Sequence, residues 1–261
     1  MQSLTLERQG RSLLAFLVAL VATLLVTACA QEPADSEDPA PVAAEAADHD
    51  GDTHAGDAHD GDDHHGEALP LPKRLAFMSG HVEAGLALYR AGEPTMAGTH
   101  LLHPVSETHA AEREGLDDLG FDGALFETVS EALDAGLPAS EIEPQLVAAE
   151  ANLAMLAEKA PGDPKEIILY LMDTVVEEYA IGVPESTVTD PGEYQDAFGF
   201  TKVAIQRAAV FEGEAGDQLR TALDELLALW PDAPVPPENP TPAVEINQQV
   251  DLVRAAVAAL G

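Results

Sequence analysis

The stretch from Leu71 to Gly261 restricts the fold most strongly. It is rich in alanine and leucine, and no part of it alternates cleanly between apolar and polar residues. Half-buried β-strands show that alternation, whereas amphipathic helices repeat apolar residues at spacings of three and four. At about 190 residues, the stretch is long enough to bury a core of its own. The sequence therefore predicts an all-α fold, a helical bundle of about eight helices, for a domain at residues 71–261.

Proline marks the starts of several predicted helices. Asp163 and Asp190 each precede a proline, as does Thr241, and this pattern is typical of an N-cap residue before a proline at the first helical position. The predicted helices lie near residues 73–91, 94–114, 122–135, 140–160, 164–181, 191–212, 216–230 and 241–260.

Residues 1–28 have the features of a lipoprotein signal peptide. A short basic start precedes an apolar run from Leu13 to Val26, which is short for a membrane span and typical of a signal-peptide core. The run ends in Val-Thr-Ala-Cys, which resembles the lipobox of bacterial lipoproteins. Cys29 is accordingly the predicted lipidated residue.

Lipid on Cys29 would attach the chain to a membrane of the cell envelope, facing the periplasm. Ala30 follows the cysteine, which favours the outer membrane over the inner one. Two alternatives stay open, an ordinary secretory signal with an incidental cysteine and an uncleaved anchor. Because Cys29 is the only cysteine, neither an intramolecular disulfide nor a thiolate metal cluster can form.

Residues 29–70 are predicted to be a disordered linker, because they contain almost no large apolar side chain. The second half interleaves aspartates with five histidines: His49, His54, His59, His64 and His65. Such tracts bind divalent metal weakly, since many ligand sets compete. The alternative is a flexible tether whose histidines have no role.

The charge of the chain limits its partners. It has 47 acidic and 12 basic residues, for a formal net charge of −35. A surface of this charge repels nucleic acid and attracts cations. Nucleic acid is therefore not an expected partner.

A helical hairpin is predicted around residues 91–94. Gly92 fits the left-handed conformation that ends a helix, and Pro94 fits the first turn of the next one. Because the connection is short, the two helices should be antiparallel.

Folding this hairpin brings together several candidate metal ligands. His81 lies eleven residues before Gly92, and His103 lies eleven residues after it; His100, His103 and Glu107 follow the spacing of one helical face. Three imidazoles and a carboxylate between two helices predict a metal site. The alternatives are surface histidines or core histidines bonded to carbonyls, and the proline after His103 disfavours a continuous helix as far as Glu107.

A second group of candidate ligands is acidic. Glu178 extends an apolar stripe of the predicted fifth helix, and Glu193 and Asp196 stand near the start of the sixth. Clustered carboxylates suit iron(III), manganese or calcium. The alternative is that acids at a helix N-terminus interact favourably with the helix dipole and bind no ion.

The same region carries a family resemblance. The pattern EEYAIGV, followed after a loop by V-x-D-x-x-EYQDAFGF-x-x-x-A, spans 28 residues from Glu177 to Ala204. It resembles the periplasmic helical region fused before bacterial iron permeases. The resemblance implies a helical periplasmic module that works beside metal uptake, with Glu177, Glu178, Glu193, Tyr194 and Asp196 at the matching positions. The membrane helices and Arg-Glu-rich motif of the permease itself have no counterpart in this sequence.

The motifs favour a metal-binding protein over an enzyme, since the sequence contains no Gly-x-Ser-x-Gly and no His-Glu-x-x-His. We expect an envelope-anchored lipoprotein that binds or delivers a divalent or trivalent metal ion, iron or zinc, as an accessory to metal uptake or homeostasis. A metal permease or another envelope protein is the expected partner. The alternatives are a helical scaffold that binds no metal and, less favoured, a metal-dependent hydrolase.

Overall fold

The computed structural model describes residues 69–106 and 113–261. The predicted signal peptide, Cys29, nearly all of the predicted linker and Glu107 lie outside the described residues. Within them the secondary structure is helical and contains no strand, so the all-α prediction is confirmed. The described part of the chain contains eight α-helices: α1 (Leu71–Ala91), α2 (Pro94–Leu102), α3 (Gly123–Asp134), α4 (Ala139–Lys159), α5 (Pro164–Gly182), α6 (Pro191–Ala208), α7 (Gly213–Leu227) and α8 (Ala243–Ala258).

Two of the three predicted helix caps are present. The Asp163 carboxylate accepts a hydrogen bond from the Lys165 backbone N–H at 2.9 Å, and Asp190 caps α6 in the same way. The prediction for Thr241 is wrong, because α8 begins one residue later with Pro242 as its N-cap. The Thr241 hydroxyl instead donates to the Leu229 carbonyl at 2.6 Å.

The α1–α2 turn forms as its sequence predicts. Gly92 adopts the left-handed conformation, with φ 86° and ψ 25°, and its N–H bonds to the Tyr89 carbonyl. The second helix is shorter than the predicted 94–114, since α2 ends at Leu102 and a 3-10 turn covers His103–Val105. Pro104 explains this end, because it supplies no N–H for the next helical hydrogen bond. His103 itself keeps the α conformation, with φ −49° and ψ −49°.

Two groups of buried apolar side chains form the core. One joins α5, α6, α7 and α8 and includes Leu171, Tyr194 and Trp230. The other joins α1, α2, α3 and α4 and includes Leu86 and Phe126. No helix among the described residues is long and apolar enough to cross a membrane.

Helices α1 and α6 cross with almost no space between their backbones. A Cβ atom built on Gly199 would lie well inside 3.0 Å of the Gly80 carbonyl oxygen, and one built on Gly80 would overlap the Phe200 ring. Only glycine therefore fits at Gly199 without a shift of a helix, and only glycine fits at Gly80 without displacement of the Phe200 ring. This crossing joins the two halves of the domain.

The crossing predicts a large effect of one methyl group. We expect Gly199→Ala to lower the free energy of unfolding by about 3 kcal/mol, the upper end for overpacked sites, because the obstacle is backbone and cannot rotate away. Gly98→Ala in α2 is the matched control, since a Cβ there meets nothing within 4 Å. It should leave stability unchanged or raise it by up to about 1 kcal/mol through helix propensity. Urea unfolding followed by circular dichroism measures both; equal stability of the two variants would contradict the close crossing.

Candidate metal centre

Three helices supply a compact group of ligand atoms. His81 comes from α1, His100 from α2 and Asp196 from α6. Asp196 Oδ1 lies 2.7 Å from His81 Nδ1 and 2.9 Å from His100 Nδ1. One ligand atom from each of the three residues lies within 4.8 Å of the other two. The structure thus combines members of the two candidate sites that the sequence presented separately.

The hydrogen bonds of His100 determine the state of its ring. His100 Nε2 lies 2.9 Å from Gln195 Oε1, which can only accept, so Nε2 carries a hydrogen. In a neutral imidazole, Nδ1 then presents a lone pair, and it faces the Asp196 oxygen at 2.9 Å without the alignment of a hydrogen bond. Two lone pairs at that distance repel each other. A proton on Nδ1 or a metal ion between the two atoms removes the repulsion.

Burial strengthens the need for a positive charge between His100 and Asp196. His100 is 2% exposed and Asp196 is 7% exposed. Burial is the largest single influence on the pKa of His100 and lowers it. The charge of Asp196, together with the polar contacts to Asp196 and Gln195 and the charge of Glu193, outweighs burial and raises the pKa of His100 above its ordinary value. Burial alone would raise the pKa of Asp196, yet His81 and His100 hold that pKa far below its usual range. Asp196 is therefore an ionised carboxylate whose charge requires a cationic neighbour.

Aromatic side chains fix the orientation of His81. The His103 ring stacks on it at 3.9 Å between centroids and 15° between planes. Phe77 and Phe200 meet the His81 ring edge-on at 4.7 and 5.3 Å. The hairpin therefore brings His103 to His81 but places it beside the ligand group, which comprises His81, His100 and Asp196.

The acidic candidates adjoin the same group. Glu178 of α5 is 1% exposed and hydrogen-bonds with Glu193 of α6, and the charge of Asp196 acts on it as well. Burial is the largest cause of the raised pKa of Glu178, followed by its interactions with Glu193 and Asp196. Glu178 is thus a neutral acid that can donate its proton to Glu193.

Gln195 is a further neighbour of the candidate ligands, and no metal-ligand motif in the sequence marks it. It accepts from His100, and its amide nitrogen lies 3.2 Å from Met96 Sδ, so it sets which nitrogen of His100 faces Asp196. Its position next to Asp196 was the available signal. An amide that contacts a ligand from outside commonly fixes that ligand's tautomer.

The ligand group fits a transition metal. Two imidazole nitrogens and one carboxylate oxygen form a set used by non-haem iron(II) and zinc sites. Ligand atoms at the usual bond lengths stand about 3.0–3.4 Å apart around one ion. The distances of 2.7 and 2.9 Å to Asp196 are slightly shorter, so a metal would require the side chains to separate by a few tenths of an ångström. Three protein ligands would leave positions on the ion for water or an incoming ligand.

Residues 157–260 match the family model of the iron permease-associated 4-helix bundle domain. This range confirms the resemblance noted above and extends it to α5, α6, α7 and α8. It includes Asp196 but neither His81 nor His100. No curated protein and no solved structure shows a significant match to the chain.

The state of Glu178 predicts a pH dependence of stability in the metal-free protein. Its folded pKa is raised above the ordinary 4.5, so the stability that it contributes is complete below about pH 4.5 and is lost as pH rises toward the folded pKa. While Glu178 stays protonated, the loss reaches about 1.4 kcal/mol for each pH unit. Glu178→Gln mimics the neutral acid and should unfold with a flatter pH profile between pH 5 and 8.

Thermal unfolding in the presence of a chelator measures this difference. Glu177→Gln is the matched control, because Glu177 is exposed and its variant should follow the pH profile of the parent protein. Parallel pH profiles for the parent and Glu178→Gln would show that Glu178 is ionised in the folded chain.

Proposed function

We propose that this chain binds a divalent transition metal through His81, His100 and Asp196, and that its main ion is Fe²⁺, held on the way to an iron permease. The observation that supports this most is the meeting of His100 Nδ1 and His81 Nδ1 on one oxygen of Asp196, at 2.9 and 2.7 Å. Burial of the carboxylate excludes the water that would otherwise solvate it. A cation at this position is the simplest complement to all three atoms.

The ligand types narrow the choice of ion. Ca²⁺ and Mg²⁺ prefer sites made of oxygen atoms, so two imidazoles disfavour both. Cu⁺ prefers thiolate and thioether ligands, which this group lacks. Fe²⁺ and Zn²⁺ both accept nitrogen and oxygen. The family match at residues 157–260 favours Fe²⁺ between these two.

The permease is the proposed partner because the matched domain is described as iron permease-associated. A delivery role also agrees with the site, since three ligands bind an ion less completely than a closed four-ligand site. The His81 side chain is 12% exposed, which leaves a route to the ion from one side. Lipid on Cys29 would keep the domain in the envelope, at the outer membrane, with residues 29–70 as its tether.

An anaerobic Fe²⁺ titration of the full chain tests the site. The titrated protein should carry glutamine in place of the five linker histidines, which removes the weak sites of that segment and leaves the helical domain unaltered. We expect one tight Fe²⁺ per chain and weaker binding of Mn²⁺. Asp196→Asn, which keeps the shape and removes the charge, should weaken Fe²⁺ binding at least about 100-fold, more than the loss of an outer-shell partner costs.

Two controls separate a ligand effect from a general effect of charge. Glu177→Gln removes an exposed carboxylate and should leave Fe²⁺ affinity within about twofold, because an exposed charge is well screened. Circular dichroism should show the same helix content for each variant. Tight Fe²⁺ binding that survives Asp196→Asn, or its absence in the parent, would reduce the His-Asp group to a structural hydrogen-bond network.

A further inference from the structure

A cleft on the other side of α1 shares no residue with the metal centre. It lies between α1, α4 and α6 and has a volume of about 360 Å³. Apolar side chains of α4 form one wall, including Val147, Leu153, Ala154 and Ala157. This volume lies within the range of small-molecule sites.

Arg207 lines this cleft and differs from the other basic residues that the structure describes. Of the 12 Lys and Arg residues in the chain, Arg8 and Arg11 lie outside the described residues. Nine of the other ten contact a carboxylate, a backbone carbonyl or an aromatic ring: Lys73, Arg74, Arg90, Arg113, Lys159, Lys165, Lys202, Arg220 and Arg254. Arg207 has no such partner among the described residues. In a chain with 47 acidic residues, a half-buried guanidinium without a counter-ion is unusual.

The acidic groups in the cleft are already paired. Glu83 lies 2.5 Å from Lys202 Nζ and accepts a hydrogen bond from Gln206 at 2.7 Å. Glu150 lies 2.7 Å from a nitrogen of Arg90. Neither carboxylate therefore serves Arg207, whose pKa is lowered by burial. The cleft thus presents one uncompensated positive charge beside an apolar wall.

We propose that this cleft binds a small organic carboxylate, with its carboxylate on Arg207 and its apolar body against the α4 wall. The planar guanidinium matches a carboxylate with two parallel hydrogen bonds. A dianion such as phosphate fits less well, because the described residues supply the cleft with a single free cation and place two carboxylates nearby. The four apolar side chains named above provide the contact that inorganic anions cannot use.

The probe is hexanoate, titrated into the full chain and followed by two-dimensional NMR and calorimetry. For a ligand of this size we expect a Kd on the order of 1 mM. Two neutral analogues, 1-hexanol and hexanamide, should bind about tenfold or more weakly, because they cannot form the charge-assisted pair. Phosphate at the same concentrations should cause no shift of the cleft resonances.

Three variants locate the site. Arg207→Gln should weaken hexanoate binding about tenfold or more, while its affinity for 1-hexanol stays the same. Arg254→Gln is the matched control, since Arg254 pairs with Asp173 and Asp251 outside the cleft, and it should bind hexanoate like the parent. Ala154→Phe keeps Arg207 but fills the apolar wall, and it should lose both hexanoate and hexanol.

Each outcome decides the proposal. Absence of hexanoate binding up to about ten times the expected Kd would overturn it, as would equal affinity of the parent and Arg207→Gln. Stronger binding of phosphate than of hexanoate would also overturn it. Because Arg207→Gln leaves the metal ligands in place, Fe²⁺ titration of that variant keeps this result separate from the proposed metal site.

Discussion

The contact between Gly80 and Gly199 sets the position of most other groups in the domain. Glycine inside a helix lowers the stability of that helix by about 1 kcal/mol relative to alanine. The close packing of α1 and α6 that the two glycines allow offsets this cost. His81 follows Gly80 directly, and Asp196 lies about one helical turn before Gly199. The separation of 2.7 Å between His81 and Asp196 is therefore a consequence of the helix crossing. A wider crossing would move Asp196 away from both histidines.

Two buried carboxyl groups, Asp196 on α6 and Glu178 on α5, show how the surroundings of an acid determine its charge. Asp196 lies against two imidazoles and stays ionised, whereas Glu178 lies against other carboxyls and keeps its proton. Burying an ion without a partner costs several kcal/mol, and a group that has none becomes neutral instead. The positive charge that holds Asp196 ionised comes entirely from the α1–α2 hairpin.

Local signals in the sequence predicted the local structure well. Gly92, Asp163 and Asp190 act within a few residues of themselves, so their patterns could be interpreted without knowing the fold. The helical spacing of the histidines predicts a longer second helix than the structure contains, because Pro104 ends α2 soon after His100. The joining of His100 with Asp196 was not predicted, since it depends on the crossing of α1 and α6, which are more than 100 residues apart in the chain. A glycine in one helix does not indicate which distant helix packs against it. The sequence therefore predicts two separate candidate sites, whereas the structure brings members of both together.

The matched region and the α1–α2 hairpin supply different kinds of side chain to the candidate metal centre. Residues 157–260, which match the permease-associated domain, supply Glu178, Glu193 and Asp196, whose side chains offer only oxygen atoms. Oxygen sets favour hard ions such as Fe³⁺, Mn²⁺ or Ca²⁺. Packing α1 and α2 against this bundle adds two imidazole nitrogens to one side of Asp196. In the proposed metal site, these nitrogens would shift the preference toward Fe²⁺ and Zn²⁺. In the proposed metal site, the hairpin rather than the matched bundle would therefore decide which oxidation state of iron is preferred.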